Sequence, residues 1–198
     1  MEPEQIKDAL MDKFQLEEGA CEWHSFPGVH NQYSPRTDIA IGHFSMEKDE
    51  TKTTEHNNSL NNPKVLFFLK EIYDHHWNNV GHIGDHVDAN ECIEVPEFDE
   101  MVKVNFNINS NARCFIAIEF DNTTSNKHIL GSMVNAAALG RVGICVADSD
   151  AAFNRFITQL NYLWFIKNVK QMNFEVRNLL IVKKAQLETV VTNLLNQP

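Results

Sequence analysis

The sequence predicts an α/β fold with a mixed central sheet flanked by helices. Two apolar strands, around Ile118 and Ile144, are separated by a 13-residue helical pattern over 127–139. A strand–helix–strand unit of that length implies a parallel pair with a right-handed crossover. The alternation continues with a strand over 176–182 and an amphipathic helix over 184–195. Upstream, a helix and a short strand around Ile39 precede a long segment of different character. The predicted order is α-β-β-(insertion)-β-α-β-α-β-α. At 198 residues the chain is sized for a single domain, with 45–112 as an insertion within it.

Taken in order, residues 3–16 place Ile6, Leu10, Met11 and Phe14 on one face, with Pro3 suited to a first helical turn. Gly19 is the predicted helix stop. The apolar stretch from Cys21 to Val29 is broken by the turn pair Pro27-Gly28. Ile39, Ile41 and Phe44 mark a short strand. Residues 45–62 hold almost no apolar groups and predict a mobile loop whose deletion leaves folding nearly unchanged. Pro63 opens a helix marked by Val65, Leu66, Leu69, Ile72 and Tyr73, then His76 and Trp77. Residues 78–100 are polar, acidic and aperiodic. Val102, Val104, Phe106 and Ile108 alternate with polar residues at strand spacing.

The C-terminal half is simpler. Cys114 to Phe120 is a buried strand, and Asn122-Thr-Thr-Ser is a polar turn with ready N-caps. The helix that follows ends at Gly140, and Val142 to Ala147 is the next strand. Asp148 or Ser149 caps a long helix with Phe153, Phe156, Ile157, Leu160, Leu163 and Trp164 as its core stripe.

Composition narrows the class of function. Hydrophobic residues make up 43% and charged residues 22%, enough for a packed core. No apolar run is long enough to span a membrane. The segment MEPEQIKDALMDKF lacks the apolar centre of a signal peptide, which predicts a cytoplasmic protein. The widely spaced Cys21, Cys92, Cys114 and Cys145 then read as reduced thiols. A net charge of −10 argues against a general nucleic-acid coat. That charge is uneven, with −14 over residues 1–100 and +4 over 101–198. One cleft between the halves would have a cation-binding and an anion-binding wall.

The chemistry-bearing residues lie at strand ends. Asp38 stands in Pro-Arg-Thr-Asp-Ile-Ala-Ile, and Glu119 and Asp121 end Phe-Ile-Ala-Ile-Glu-Phe-Asp. Residues i and i+2 of a strand point the same way, so Glu119 and Asp121 converge. Lys127 follows at the start of the next helix. Three carboxylates and an ammonium at a helix N-terminus suit a hard cation and a phosphate. The structural alternative is that Asp38 and Glu119 cap strand ends and pair with Arg36 or Lys127.

This arrangement resembles the PD-(D/E)xK, or restriction-endonuclease-like, nuclease superfamily over residues 1–44 and 113–182. The resemblance implies a three-layer core with 45–112 inserted between the second and third core strands. It also implies Mg2+ or Mn2+ bound by Asp38 and Glu119, with Asp121 as a third ligand. The motif's lysine belongs two positions after Glu119, where this chain has Asp121; Lys127 is the substitute. A glutamate on the first helix often completes such a site, and Glu4, Glu17 and Glu18 are the candidates here. The implied activity is metal-assisted hydrolysis of a nucleic-acid phosphodiester, DNA favoured, with Asp38, Glu119, Asp121 and Lys127 as the catalytic set. The alternative is a non-catalytic binding or regulatory module on the same fold.

Three further features have simpler readings. Asp74, His75, His76, His82, Asp85, His86 and Asp88 are dense in ligand types, but Gly81 and Gly84 oppose a helix there, so a polar loop is expected. Gly140-Arg141-Val142-Gly143 follows a helix and precedes a strand, the wrong order for a phosphate loop. The helix from Lys64 to Trp77 carries Phe67, Phe68, His76 and Trp77 around more than one face. That surplus apolar surface predicts contact with a second copy, a homodimer.

Overall fold

A computed structural model describes residues 1–25, 35–45, 50–80, 95–168 and 176–198. The chain runs α1 (Pro3–Phe14), β1 (Gly19–His24), β2 (Arg36–Ile41), α2 (Glu50–Ser59), α3 (Pro63–Val80) and α4 (Phe98–Lys103), then a 3-10 turn over Asn105–Asn107. It continues with β3 (Cys114–Asp121), α5 (Asn126–Leu139), β4 (Gly140–Ala147), α6 (Asp150–Asn168), β5 (Leu179–Lys183) and α7 (Lys184–Leu195).

The strands form one mixed sheet in the order β1-β2-β3-β4-β5. β1 pairs antiparallel with β2, and β2 antiparallel with β3. β3 and β4 are parallel, with Ile118 beside Ile144, and β4 is parallel to β5. This is the predicted α/β architecture, including the parallel pair on either side of α5.

Alternation along the strands sends side chains to two helical layers. Ile39, Ile118, Ile144 and Leu180 face α1, α3 and α7, packing on Leu10, Leu69, Ile72 and Val190. On the opposite face Cys145, Ala147 and Ile181 meet Met133 and Ala136 of α5 and Phe156 and Leu160 of α6. α5 lies close against β4: a Cβ on Gly143 would stand 2.8 Å from the Ala136 carbonyl oxygen. Glycine there lets the helix settle beside the ends of β2 and β3, where the acids are.

Several segments differ from expectation. α1 begins at Pro3, and the Glu2 N–H donates to Gln5 Oε1. It ends at Gln15, in the left-handed conformation at φ 57°, rather than at Gly19, which opens β1. Within the predicted loop 45–62, Glu50–Ser59 is helical. It docks by polar contacts: His56 Nε2 meets the His43 carbonyl oxygen at 2.8 Å, and Arg141 donates to Asn57 Oδ1 at 2.6 Å. The predicted strand over 102–108 is α4 followed by the 3-10 turn, because Met101, Asn105 and Phe106 are buried at helical spacing while Val104 is exposed. Gly140 is the first residue of β4, so α5 passes into the strand without a separate loop. Ser149 caps α6, its Oγ accepting the Ala152 N–H.

α3 closes the outer edge of β5. His76 Nδ1 accepts the Ile181 N–H at 2.9 Å, and Asn79 Nδ2 donates to the Ile181 carbonyl at 3.3 Å. These two bonds satisfy edge groups that would otherwise be open to another strand. The aromatic faces of α3 are used within the chain: Phe68 packs edge-on against Phe14, and Trp77 stacks on Trp164. Part of the apolar surface that predicted a second copy is thus used within the chain, while Phe67 and Trp77 are only partly buried.

Candidate functional site

The ends of β2 and β3 and the first three turns of α5 enclose a cleft of about 610 Å³. Asp38, Glu119, Asp121 and Lys127, the four residues singled out from the sequence, all line it. Arg36, His128, Gly131, Ser132, Asn135 and Asp148 complete the part that matters here.

The sheet register brings the acids together. The β2–β3 pairing ends with Ile39 opposite Ile118, and Asp38 and Glu119 are the next residues of the two strands, on the same face of the sheet. Past that point side chains make the link: the Thr37 hydroxyl donates to the Ile118 carbonyl at 3.0 Å. Glu119 in turn lies beside Cys145, on the face covered by α5. Asp38 Oδ2 accepts the Phe120 N–H at 2.7 Å, holding its carboxylate against β3.

Each acid is held differently. Burial raises the Asp38 pKa, the Phe120 N–H opposes that rise, and the charges of Glu22 and Asp121 add to it. Glu119 is 6% exposed, and its Oε1 is buried without a hydrogen-bond partner. Burial pushes its carboxyl up to about 9; the charges of Asp38 and Asp121 reinforce this, against Arg36 and a hydrogen bond from Asn135. Asp121 is committed elsewhere: Oδ1 accepts the Thr123 N–H at 2.8 Å and Oδ2 the Ser132 hydroxyl at 3.2 Å.

The ion pairs offered by the structural alternative are not formed. Arg36 pairs with Glu22 on β1, and among the described residues neither Asp38 nor Glu119 has an ion-pair partner. Lys127 is exposed on the first turn of α5.

Glu4, Glu17 and Glu18 do not line the cleft. Glu4 pairs with Lys7, while Glu18 accepts the Phe44 N–H and lies near Lys52. The acid that does approach is Glu22 of β1, whose charge bears on Asp38 and which pairs with Arg36. Its φ of 50° takes it out of the β1–β2 pairing, so strand alternation gave no signal for it. Ser132 and Asn135 lie about one and a half and about two turns along α5 from the lysine, a spacing readable once that helix is accepted.

Of the other ligand-type cluster, His82, Asp85, His86 and Asp88 lie outside the described residues. Asp74 pairs with Lys70, and His76 serves the β5 edge. Cys21, Cys114 and Cys145 are free thiols.

Among the described residues, no three His, Cys, Asp or Glu side chains form a cluster positioned to hold a metal ion. The donors nearest to that role are Asp38 and Glu119. An uncompensated buried carboxylate oxygen beside a second carboxylate suits a hard cation that takes its remaining ligands from water or substrate. No described helix is long and apolar enough to cross a membrane. In comparisons with protein-family models, curated proteins and solved structures, nothing matches the chain.

Proposed function

We propose that the chain is a divergent PD-(D/E)xK-like cytoplasmic protein that hydrolyses nucleic-acid phosphodiesters, DNA favoured, with Mg2+ or Mn2+. On this reading α1, β1–β3, α5 and β4 are the restriction-endonuclease-like core and 45–112 is its insertion. The observation that carries the reading is that Asp38 and Glu119 line one cleft, with Glu119 Oε1 buried and unpartnered.

Asp38 and Glu119 would hold the cation directly, and Asp121, whose oxygens are engaged, would act through water. The chemistry such an ion would supply there is polarisation of a phosphate oxygen and acidification of a bound water. The chain's own residues supply the rest. Lys127 and the N-terminal turn of α5 offset phosphate charge. Asn135 favours the charged form of Glu119, and the Phe120 N–H fixes Asp38.

A second reading rests on Asp121. It stands where the motif's lysine belongs, and its carboxylate closes a turn by bonding Thr123 and Ser132. That favours a non-catalytic module that binds through the same cleft.

Cleavage of DNA and RNA in Mg2+ or Mn2+ separates the two readings. The enzyme reading expects activity in the wild type and its loss in Asp38→Ala and Glu119→Ala. Activity that persists in both variants contradicts it.

A further inference from the structure

The wall of the cleft facing its acidic floor is one side of α5, and that wall has a gap. Lys127, Gly131 and Asn135 follow at four-residue intervals, so they stand one above another on the helix, and all three line the cleft. Glycine inside a helix is unfavourable relative to alanine. In strand β4 a close backbone approach accounts for Gly143, but in helix α5 nothing of the protein accounts for Gly131. A Cβ added at Gly131 meets no atom within 4 Å, and the residue is exposed. The missing side chain therefore leaves room inside the cleft. The same cleft contains the buried, unpartnered Glu119 Oε1, the atom that marks it as a ligand site on the phosphodiesterase reading.

We infer that Gly131 is a substrate-seating position, where the sugar next to the scissile phosphate rests on the bare backbone of α5. The inference rests on the phosphodiesterase reading and names its substrate class, a single-stranded nucleic acid. Lys127 lies one turn toward the helix N-terminus, on the side where a phosphate is favoured. A cleft of about 610 Å³ is sized for a ligand of one or two nucleotides. A duplex would need a wide basic track. Of the basic groups at this cleft, Arg36 is already paired with Glu22.

The test compares wild type, Gly131→Ala and Gly131→Leu on two diesters in Mn2+: a short single-stranded oligonucleotide, and methyl 4-nitrophenyl phosphate, which has no sugar. Thermal melts run alongside, and both variants should melt no lower than wild type because the added atoms enter open space. The expected result for Gly131→Leu is a loss of about tenfold or more in kcat/KM on the oligonucleotide, carried by KM. Its hydrolysis of the sugarless diester should stay within about twofold of wild type. Gly131→Ala, with one added carbon, should retain both activities and confirms that the loss follows side-chain size. If Gly131→Leu changes both activities equally, or neither, the seating role is overturned while the phosphodiesterase reading stands. A wild type that hydrolyses neither diester overturns both.

Discussion

Asp38 reaches from β2 to accept the backbone N–H of Phe120 at 2.7 Å, which fixes its carboxylate beside Glu119 on the neighbouring strand. Two acids are thereby kept close at the end of the sheet, one of them almost fully buried. Such an arrangement works against folding stability, and its consequences can be measured.

The first consequence is a pH-dependent cost at Glu119. Its carboxyl is raised from an ordinary 4.5 to about 9 by burial, so the folded chain keeps a proton that the unfolded chain has released. Folding stability therefore falls as pH rises from about 4.5 to about 9. In metal-free buffer, Glu119→Gln should melt several degrees above wild type at pH 8 and close to it at pH 5. An equal shift at both pH values would mean that the carboxyl is not the cause.

His76 has the opposite slope. Burial lowers its pKa from 6.5 to about 3, while its Nδ1 accepts the Ile181 N–H. The folded chain keeps it neutral while the unfolded chain takes up a proton, so its contribution is lost as pH falls from about 6.5 to about 3. His56, lowered to about 4 by burial, adds to the same acid lability. The ring-proton NMR shifts of His76 should stay constant between pH 5 and pH 8. A titration with its midpoint near 6.5 would contradict the buried edge contact.

The strand and helix order was legible because apolar side chains carried the period. Ile116, Ile118, Ile144 and Val146 are buried on one face of the sheet, and α5 and α6 show the 3.6-residue pattern. The grouping of Asp38, Glu119, Asp121 and Lys127 in one cleft followed from strand parity and the helix start. α2 was hidden because it docks through hydrogen bonds of His56 and Asn57, which leave no hydrophobic signature. α4 was hidden because alternate apolar residues over a short run fit a strand as well as a helix. The engagement of both Asp121 oxygens depends on the turn at Thr123 and on Ser132, which spacing alone does not specify.

The sequence expectation for deletion of 45–62 is reversed by α2. Removing residues 50–59 takes away buried His56 and Ser59 and the Asn57 partner of the 2%-exposed Arg141. A lower melting temperature is expected. Asn57→Ala alone should cost about 1–3 kcal/mol, because one guanidinium donor loses its acceptor. A deletion variant with an unchanged melt would show that the helix is not docked.

α3 separates its two leucines. Leu69 is fully buried among α1, α7 and the sheet, whereas Leu66 is half-buried. Leu69→Ala should cost about 2–5 kcal/mol in denaturant unfolding, and Leu66→Ala clearly less. Equal small losses would remove α3 from the core.

The central claim, that Asp38 and Glu119 together form a divalent-cation site, is tested most directly by Mn2+ titration at pH 8 followed by electron paramagnetic resonance. The account predicts about one ion bound per wild-type chain, with affinity lowered at least about tenfold in both Asp38→Ala and Glu119→Ala. Asp121→Asn should weaken binding less, since Asp121 acts through water. Equal Mn2+ affinity in wild type and both alanine variants, or no binding by the wild type, would contradict it.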